Sequence, residues 1–370
     1  MKVAVLEYLC GSGQFDESAM SSLIREGLAM LSGLANDFAL CGHEVHTLLD
    51  HNSMHARSHF RSQVHVYPLD STAGGASWLE QWNAMAKACD LAIVIAPELD
   101  DQLTRIVGQL RLSGATVLAP SVSFLRATSD KLTTAKLLSQ ANITHPPTQT
   151  LTEYRATDRS KRQDASSSLR SEMPLTLKRR DGAGCADMMI FADWERLERW
   201  LSIHPSLYLT GEDWLVQEWL PGRPASMAII AGQEWRIVGA VEQNLQCDTA
   251  NQDGWSSVSY LGGRGPLQGI TDEILEQLAR GVQQALPDKA VGWIGVDFLV
   301  PSDPAQLRDY VVVEINPRLT TSYLGYRKWY GPQLAGALLK TPDNPAFFSA
   351  MQKSPIEFSV CEFTKNHVET

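Results

Sequence analysis

Residues 291–300 read VGWIGVDFLV, and residues 309–318 read DYVVVEINPR. Both are apolar runs of strand length. Both also carry carboxylates, which buried strands rarely hold unpaired. Glu314 and Asn316 stand two apart, so on a strand their side chains leave the same face. With the Asp297 strand alongside, three oxygen donors converge. Oxygen-only donors suit Mg²⁺ when phosphate oxygens complete its shell. Asp297, Glu314 and Asn316 are therefore the expected metal ligands, and Arg318 is placed to neutralise a transferring phosphoryl group. The alternative is a structural set of paired polar residues at strand ends.

Working back from this pair, residues 214–221 read WLVQEWLP, a strand running into Pro221-Gly222. Gln217, Glu218, Trp219 and Leu220 form a candidate hinge. Its backbone could read the edge of a planar base while a side chain covers one face. Earlier still stands KRRDGAGC, residues 178–185. Here Lys178 closes a strand, and Asp181, Gly182, Ala183 and Gly184 form a turn with little side-chain bulk. Such a turn can fold over phosphates and offer N–H groups beside the lysine. An ordinary hairpin turn is the other reading.

The first 120 residues alternate strands (2–9, 43–50, 64–69, 90–97, 115–120) with helices, the pattern of a parallel sheet covered on both faces. One helix is expected over 122–141, and a polar loop over 155–172. Gly11-Ser12-Gly13 follows the first strand, but Asp16 stands where a dinucleotide fingerprint needs its third glycine. An oxidoreductase reading is thereby disfavoured.

Composition narrows the field further. The 370 residues are 44% hydrophobic and 20% charged, with a formal net charge of −10, an ordinary globular balance. The acidic charge argues against nucleic-acid binding, which needs a basic footprint. Among the six cysteines no two are close enough for a CxxC pair. No apolar run is long enough to span a bilayer, so no membrane association is expected, and free thiols in a reducing cytoplasm fit best. His51, His55 and His59 would share a face of an α-helix, though the stretch is polar and reads equally as a solvated segment.

Taken in order, Lys131, KRRDGAGC, QEWLPG and D-x(16)-E-x-N-P-R resemble the ATP-grasp superfamily of carboxylate–amine ligases. The resemblance spans about residues 1–335. The EINPR-LTTSY ending and the YLGGRGP stretch at 260–266 are most similar to tyramine–glutamate ligases of methanofuran biosynthesis. The resemblance implies an α/β chain, α+β in its C-terminal lobes: an ATP-grasp fold with a Rossmann-like N-terminal lobe. Its expected divisions are 1–120, a pre-ATP-grasp domain; 121–212 and 213–340, the two ATP-grasp subdomains; and a tail, 341–370. ATP and Mg²⁺, as two ions, are the implied cofactors, and small-molecule acids and amines the partners; a homodimer is common in the superfamily. Lys131 and Lys178 would bind ATP phosphates, residues 181–184 would form a mobile phosphate loop, and 217–220 the adenine hinge. Arg318 would contact phosphate, and Arg264 and Thr320 the substrate. Arg223 falls where many members carry the acid that holds the ribose, so ribose recognition falls to another residue. The implied reaction joins an amino-acid carboxylate, such as glutamate, to an amine, such as tyramine or tyrosine. A non-catalytic ATP-binding protein of the same fold is the competing reading.

Overall fold

Strands β1 (Lys2–Glu7), β2 (Glu44–Leu49), β3 (Val64–Pro68) and β4 (Leu91–Ile95) lie parallel in the order β3-β2-β1-β4. This computed structural model describes residues 1–370 except 16–20, 71–76, 157–172, 186, 209, 252–253, 288–289, 303–308, 341–347, 349–352 and 360–370. Around the sheet run the one-turn α1 (Tyr8–Gly11), then α2 (Ser21–Leu40), α3 (Trp78–Ala88) and α4 (Gln102–Leu112). Helix α3 starts at a reciprocal cap in which Ser77 and Glu80 satisfy each other's backbone N–H.

Two expectations for this lobe change. The first strand stops at Glu7, because its carboxylate accepts the Cys10 N–H at 2.8 Å and caps α1. Residues 115–120 form a single bridge, Ala92 to Val117, and no strand. The Arg111 guanidinium takes the carbonyls of Val117, Ala119 and Pro120, which a strand would offer to a neighbour.

Next come α5 (Val122–Ser129) and α6 (Lys131–Gln140), where one helix was expected. Asp130 divides them. Its carboxylate accepts from the N–H groups of Leu132 and Thr133 as an N-cap. It also receives both arms of Arg180, at 2.8 and 2.6 Å. The break makes Lys131 the first residue of α6 rather than a mid-helix residue.

Ten strands build the second sheet. They are β5 (Thr148–Thr150), β6 (Leu175–Arg179), β7 (Met189–Phe191), β8 (Trp214–Glu218), β9 (Arg223–Ala231), β10 (Arg236–Cys247), β11 (Trp255–Gly265), β12 (Gly292–Val300), β13 (Val311–Asn316) and β14 (Ile356–Phe358). The order is β13-β12-β9-β10-β11-β7-β6-β8-β5, with β14 beside β11. Strand β11 joins the halves, pairing with β7 through Trp255–Ser257 and with β10 through Val258–Arg264. The glycines of YLGGRGP thus lie within a strand, not a ligand loop. A Cβ on Gly262 would fall 2.0 Å from the Phe358 carbonyl oxygen, so glycine lets β14 approach.

Helices α7 (Leu151–Ala156), α8 (Trp194–Ile203) and α9 (Asp272–Ala285) cover this sheet, and α10 (Tyr323–Tyr330) and α11 (Gln333–Leu339) follow β13. One core crosses between the lobes: Leu31, Leu34 and Phe38 of α2 with Ile230, Trp293, Tyr323, Tyr326 and Trp329. Each such side chain contributes about 2 kcal/mol by burial. Inside it Asp37 accepts from Tyr323 Oη at 2.7 Å and from Arg327 at 2.6 and 2.8 Å. This clamp holds α2 against the second sheet. No helix among the described residues is long and apolar enough to cross a membrane. The described cysteines are free thiols; Cys361 lies outside the described residues, as do most of the tail and residues 157–172 of the expected mobile loop.

Candidate active site

The antiparallel pairing of β12 with β13 sets Asp297 directly across from Glu314, and Gly295 across from Asn316. Two carboxylates and an amide therefore share one face, as their spacing predicts. Asn316 Nδ2 donates to Asp297 Oδ2 at 3.1 Å. The other oxygen, Asp297 Oδ1, is buried without a hydrogen bond among the described residues, although Ser226 and Gln243 lie beside that carboxylate. Burial, with the Glu314 charge opposite, pushes the Asp297 carboxyl up to about 6.

Above this face a cavity of about 380 Å³ opens. Lys131 reaches it from the start of α6, its ammonium 3.1 Å from Glu314 Oε1 and donating to the Gly182 carbonyl. Lys178, at the end of β6, donates to Gln217 Oε1 at 2.8 Å. Burial lowers the Lys178 ammonium to about 8, with Glu314 opposing the shift and Lys131 adding to it. Gly182, Ala183, Gly184 and Cys185 line the same wall. Gly184 is left-handed (φ 65°), and a Cβ there would sit 2.6 Å from Leu23 Cδ2 of α2. The turn thus rests on lobe one. Burial raises the Cys185 thiol to about 12, so it is no nucleophile at neutral pH.

Gln217, Glu218, Trp219 and Leu220 form the far wall. The Glu218 N–H is taken by the Pro147 carbonyl at 3.2 Å and the Trp219 N–H by Pro174 at 2.8 Å. Pro221 has none, so among the described residues Leu220 is the hinge residue whose N–H is left to donate.

Arg318, Thr320 and Thr321 close the remaining side. Arg318 is held by both oxygens of Glu98, each at 2.9 Å, a bidentate pair that fixes the guanidinium plane. Thr320 accepts from Trp293 Nε1 at 3.1 Å.

Two expected contacts are not made. Asp181 lies outside the cavity lining: its carboxylate turns away to Arg179 at 3.0 Å and to the Asp100 N–H at 2.8 Å, because the neighbouring guanidinium is the nearer cation. Arg264 also lies outside the lining; exposed on β11, it pairs with Glu242 at 2.7 Å. Arg223 binds the same Glu242 at 3.1 Å and the Gln268 carbonyl at 2.8 Å. Residues 51–59 form a 3₁₀ turn over Asn52–His59, whose three-residue period spreads His51, His55 and His59 around the axis. The trio of metal-type ligands among the described residues is instead Glu44, His46 and His65 on β2 and β3, its ligand atoms within 4.8 Å of one another.

Several lining residues went unread in the sequence: Glu26, Ser226, Gln243 and Tyr260, with Glu98 behind Arg318. A signal for Glu26 existed. Positions 23, 26, 30, 34 and 37 fall on one stripe of α2, so both Glu26 and Asp37 interrupt its buried face.

A sequence profile of the ATP-grasp domain matches residues 128–322, more than half of the chain. The chain belongs to the ATP-grasp family. A second profile, of the pre-ATP-grasp 3 domain, matches residues 43–123. The chain is 26% identical over 137 residues to a tyramine–L-glutamate ligase from Methanocaldococcus fervens, a match covering 37% of this chain and 40% of that protein. The shared segment is therefore less than half of that relative's length.

Solved ATP-grasp folds superpose over most of the chain. An ATP-grasp superfamily protein from Archaeoglobus fulgidus has a TM-score of 0.59 at 19% identity, covering 92% of this chain and 88% of that one. Biotin carboxylase from Campylobacter jejuni, in complex with β,γ-ATP, has a TM-score of 0.63 at 14% identity, covering 94% and 73%. N5-carboxyaminoimidazole synthetase from Staphylococcus aureus, complexed with ADP, has 0.57 at 13%, covering 87% and 71%. At these identities what is shared is the ATP-grasp fold.

Proposed function

We propose that the chain is an ATP- and Mg²⁺-dependent ligase that joins a carboxylate to an amine through an acyl phosphate. The observation carrying this reading is the meeting, around one cavity, of two buried lysines, a hinge with a single N–H left over, and an Asp297/Glu314/Asn316 oxygen set. The metal fits the donors present. Two carboxylates face one another, and one buried oxygen has no hydrogen bond among the described residues, a costly arrangement unless a cation shares it. Bound there, Mg²⁺ would neutralise charge on the transferring phosphoryl group.

The residues divide the work. Lys131 and Lys178 bind phosphate oxygens, exchanging their bonds to Glu314 and Gln217 for the nucleotide. The N–H groups of Gly182, Ala183 and Gly184 cover the phosphates. Leu220 N–H reads the base edge, with Trp219 beside it. Arg318, oriented by Glu98, faces the developing acyl phosphate. Thr320 lines the acid's pocket. The amine, as its free base, then attacks the acyl carbon, phosphate leaves with the C–O electron pair, and the proton shed by the nitrogen goes to the departing phosphate, leaving an amide. Water must be kept out, because it would hydrolyse the acyl phosphate. Divisions near residues 120, 212 and 340 belong to the same reading, as do a cytoplasmic setting and a homodimer.

The partial likeness to a tyramine–L-glutamate ligase supports an amino acid as donor and an aryl-ethylamine, or tyrosine, as acceptor, in methanofuran-type cofactor synthesis. The test is phosphate release from ATP and Mg²⁺ across a matrix of amino acids and amines, with product mass read in parallel. Release requiring one acid and one amine, with an amide-mass product, is expected. ATP binding with no release across the matrix would favour the non-catalytic alternative. Lys178→Ala is expected to weaken ATP binding or slow phosphoryl transfer, and unchanged kinetics would remove Lys178 from the site.

A further inference from the structure

The cations that line the cavity are already matched. Lys131 faces Glu314, Lys178 donates to Gln217, Arg179 pairs with Asp181, and Arg318 is gripped by Glu98. Glu26 is different. It enters the cavity from α2 of lobe one, one turn beyond Leu23, the residue that supports Gly184. It has no hydrogen bond or ion pair among the described residues. The charges that act on it are Arg318, committed to Glu98, and Arg25, which points to solvent. Tyr260, with its hydroxyl bonded to Thr321, lies on the same side.

Glu26 is half-buried, and a carboxylate so placed without a cation is poorly solvated, while the Asp37–Arg327 pair keeps α2 docked beside the cavity. A ligand that carries a cation into the cavity would supply the partner that Glu26 lacks among the described residues. Resting on the ligase reading above, we infer that Glu26 is the recognition group for a substrate ammonium, carried by either the amino-acid donor or the incoming amine. Its burial raises the carboxyl to about 7, which a ligand cation would reverse.

The test compares wild type with Glu26→Gln, a neutral isostere, and Glu26→Asp, which keeps the charge. Phosphate release is measured with L-glutamate or glutarate, its analogue without the amino group, as donor, and with tyramine as acceptor. Glu26→Gln is expected to raise KM for the ammonium-bearing substrate roughly 10- to 100-fold. KM for ATP and the Mg²⁺ activation midpoint should move less than about twofold, and Glu26→Asp should recover part of the loss. The melting temperature should hold or rise, since an uncompensated charge is removed. If the ammonium is the donor's, the preference for L-glutamate over glutarate collapses in Glu26→Gln; if it is the acceptor's, only the tyramine KM rises.

Unchanged KM values for both substrates, or a change confined to the Mg²⁺ midpoint, would overturn the assignment. Should wild type release no phosphate, calorimetric titration of L-glutamate and of tyramine onto the protein with Mg²⁺ and a non-hydrolysable ATP analogue decides separately. Binding abolished by Glu26→Gln retains the ammonium site while the ligase reading falls. No Glu26-dependent binding of either probe removes the site.

Discussion

Two clusters among the described residues gather three polar side chains with metal-type donors, Glu44/His46/His65 and Asp297/Glu314/Asn316, and they differ in burial. Glu44, His46 and His65 sit on the outer face of β2 and β3, and their charges are already answered. Glu44 contacts His46 Nε2 at 3.0 Å and Lys2 at 3.2 Å, bonds that hold its carboxyl below the usual range in full solvent. Asp297, Glu314 and Asn316 lie at the floor of a cavity, with Asp297 Oδ1 buried and without a hydrogen bond among the described residues. A solvated cluster satisfies itself, whereas a buried one retains a demand that a ligand must meet. The same contrast separates Arg318, mostly enclosed and fixed by the buried Glu98, from Arg264, paired with Glu242 at the surface.

The sharpest way to break the comparison is Glu314→Ala. Removing this half-buried carboxylate, the proposed metal ligand, should lower amide formation by about 10²- to 10³-fold or more while circular dichroism and melting stay near wild type. Wild-type turnover would sink the assignment of the β12/β13 face. Next in size is Asp37→Ala, which strands Arg327 inside the inter-lobe core and should cost about 3–5 kcal/mol in urea unfolding. A loss under about 1 kcal/mol would mean the clamp is solvated and the comparison fails there.

Glu7 gives a pH test. It is 1% exposed, and desolvation raises its carboxyl from 4.5 to about 7, with the bonds from Cys10 opposing. A raised acid binds its proton more tightly when folded. Its contribution is complete below pH 4.5 and is lost as pH climbs through about 7, a decline of about 3 kcal/mol. Glu7→Gln should flatten that decline, and parallel stability curves for the two proteins would refute it. The smallest effect is expected at the surface: Arg264→Ala should change stability by less than about 1 kcal/mol and leave the KM of both substrates unchanged.

Much of the site was legible because its motifs are local. The spacing of Glu314 and Asn316, the cation closing β6 before small residues, and the strand ending at Pro221-Gly222 each follow from the chemistry of a few adjacent residues. Arg264 shows how local reading fails. It was expected to meet the substrate, but Gly262 and Gly263 beside it are small because β14 and β10 approach there, and the residue faces outward from a strand. Asp181 fails for a related reason, since Arg179 two residues earlier competes for it.

The sequence by itself determined the alternating first lobe, the β12/β13 carboxylate pair and the strand–turn segments at 178–184 and 217–222, since periodicities of two and 3.6 are written in consecutive residues. Only the tertiary structure decided that Glu26 and Glu98, from lobe one, complete a cavity built by the second sheet. Glu26 is placed by α2 docking through Phe38 and Asp37 onto residues nearly three hundred positions away, and Glu98, just after β4, by its pairing with Arg318. Long-range packing of that kind leaves no spacing to read, only two acids on a stripe that should have been apolar.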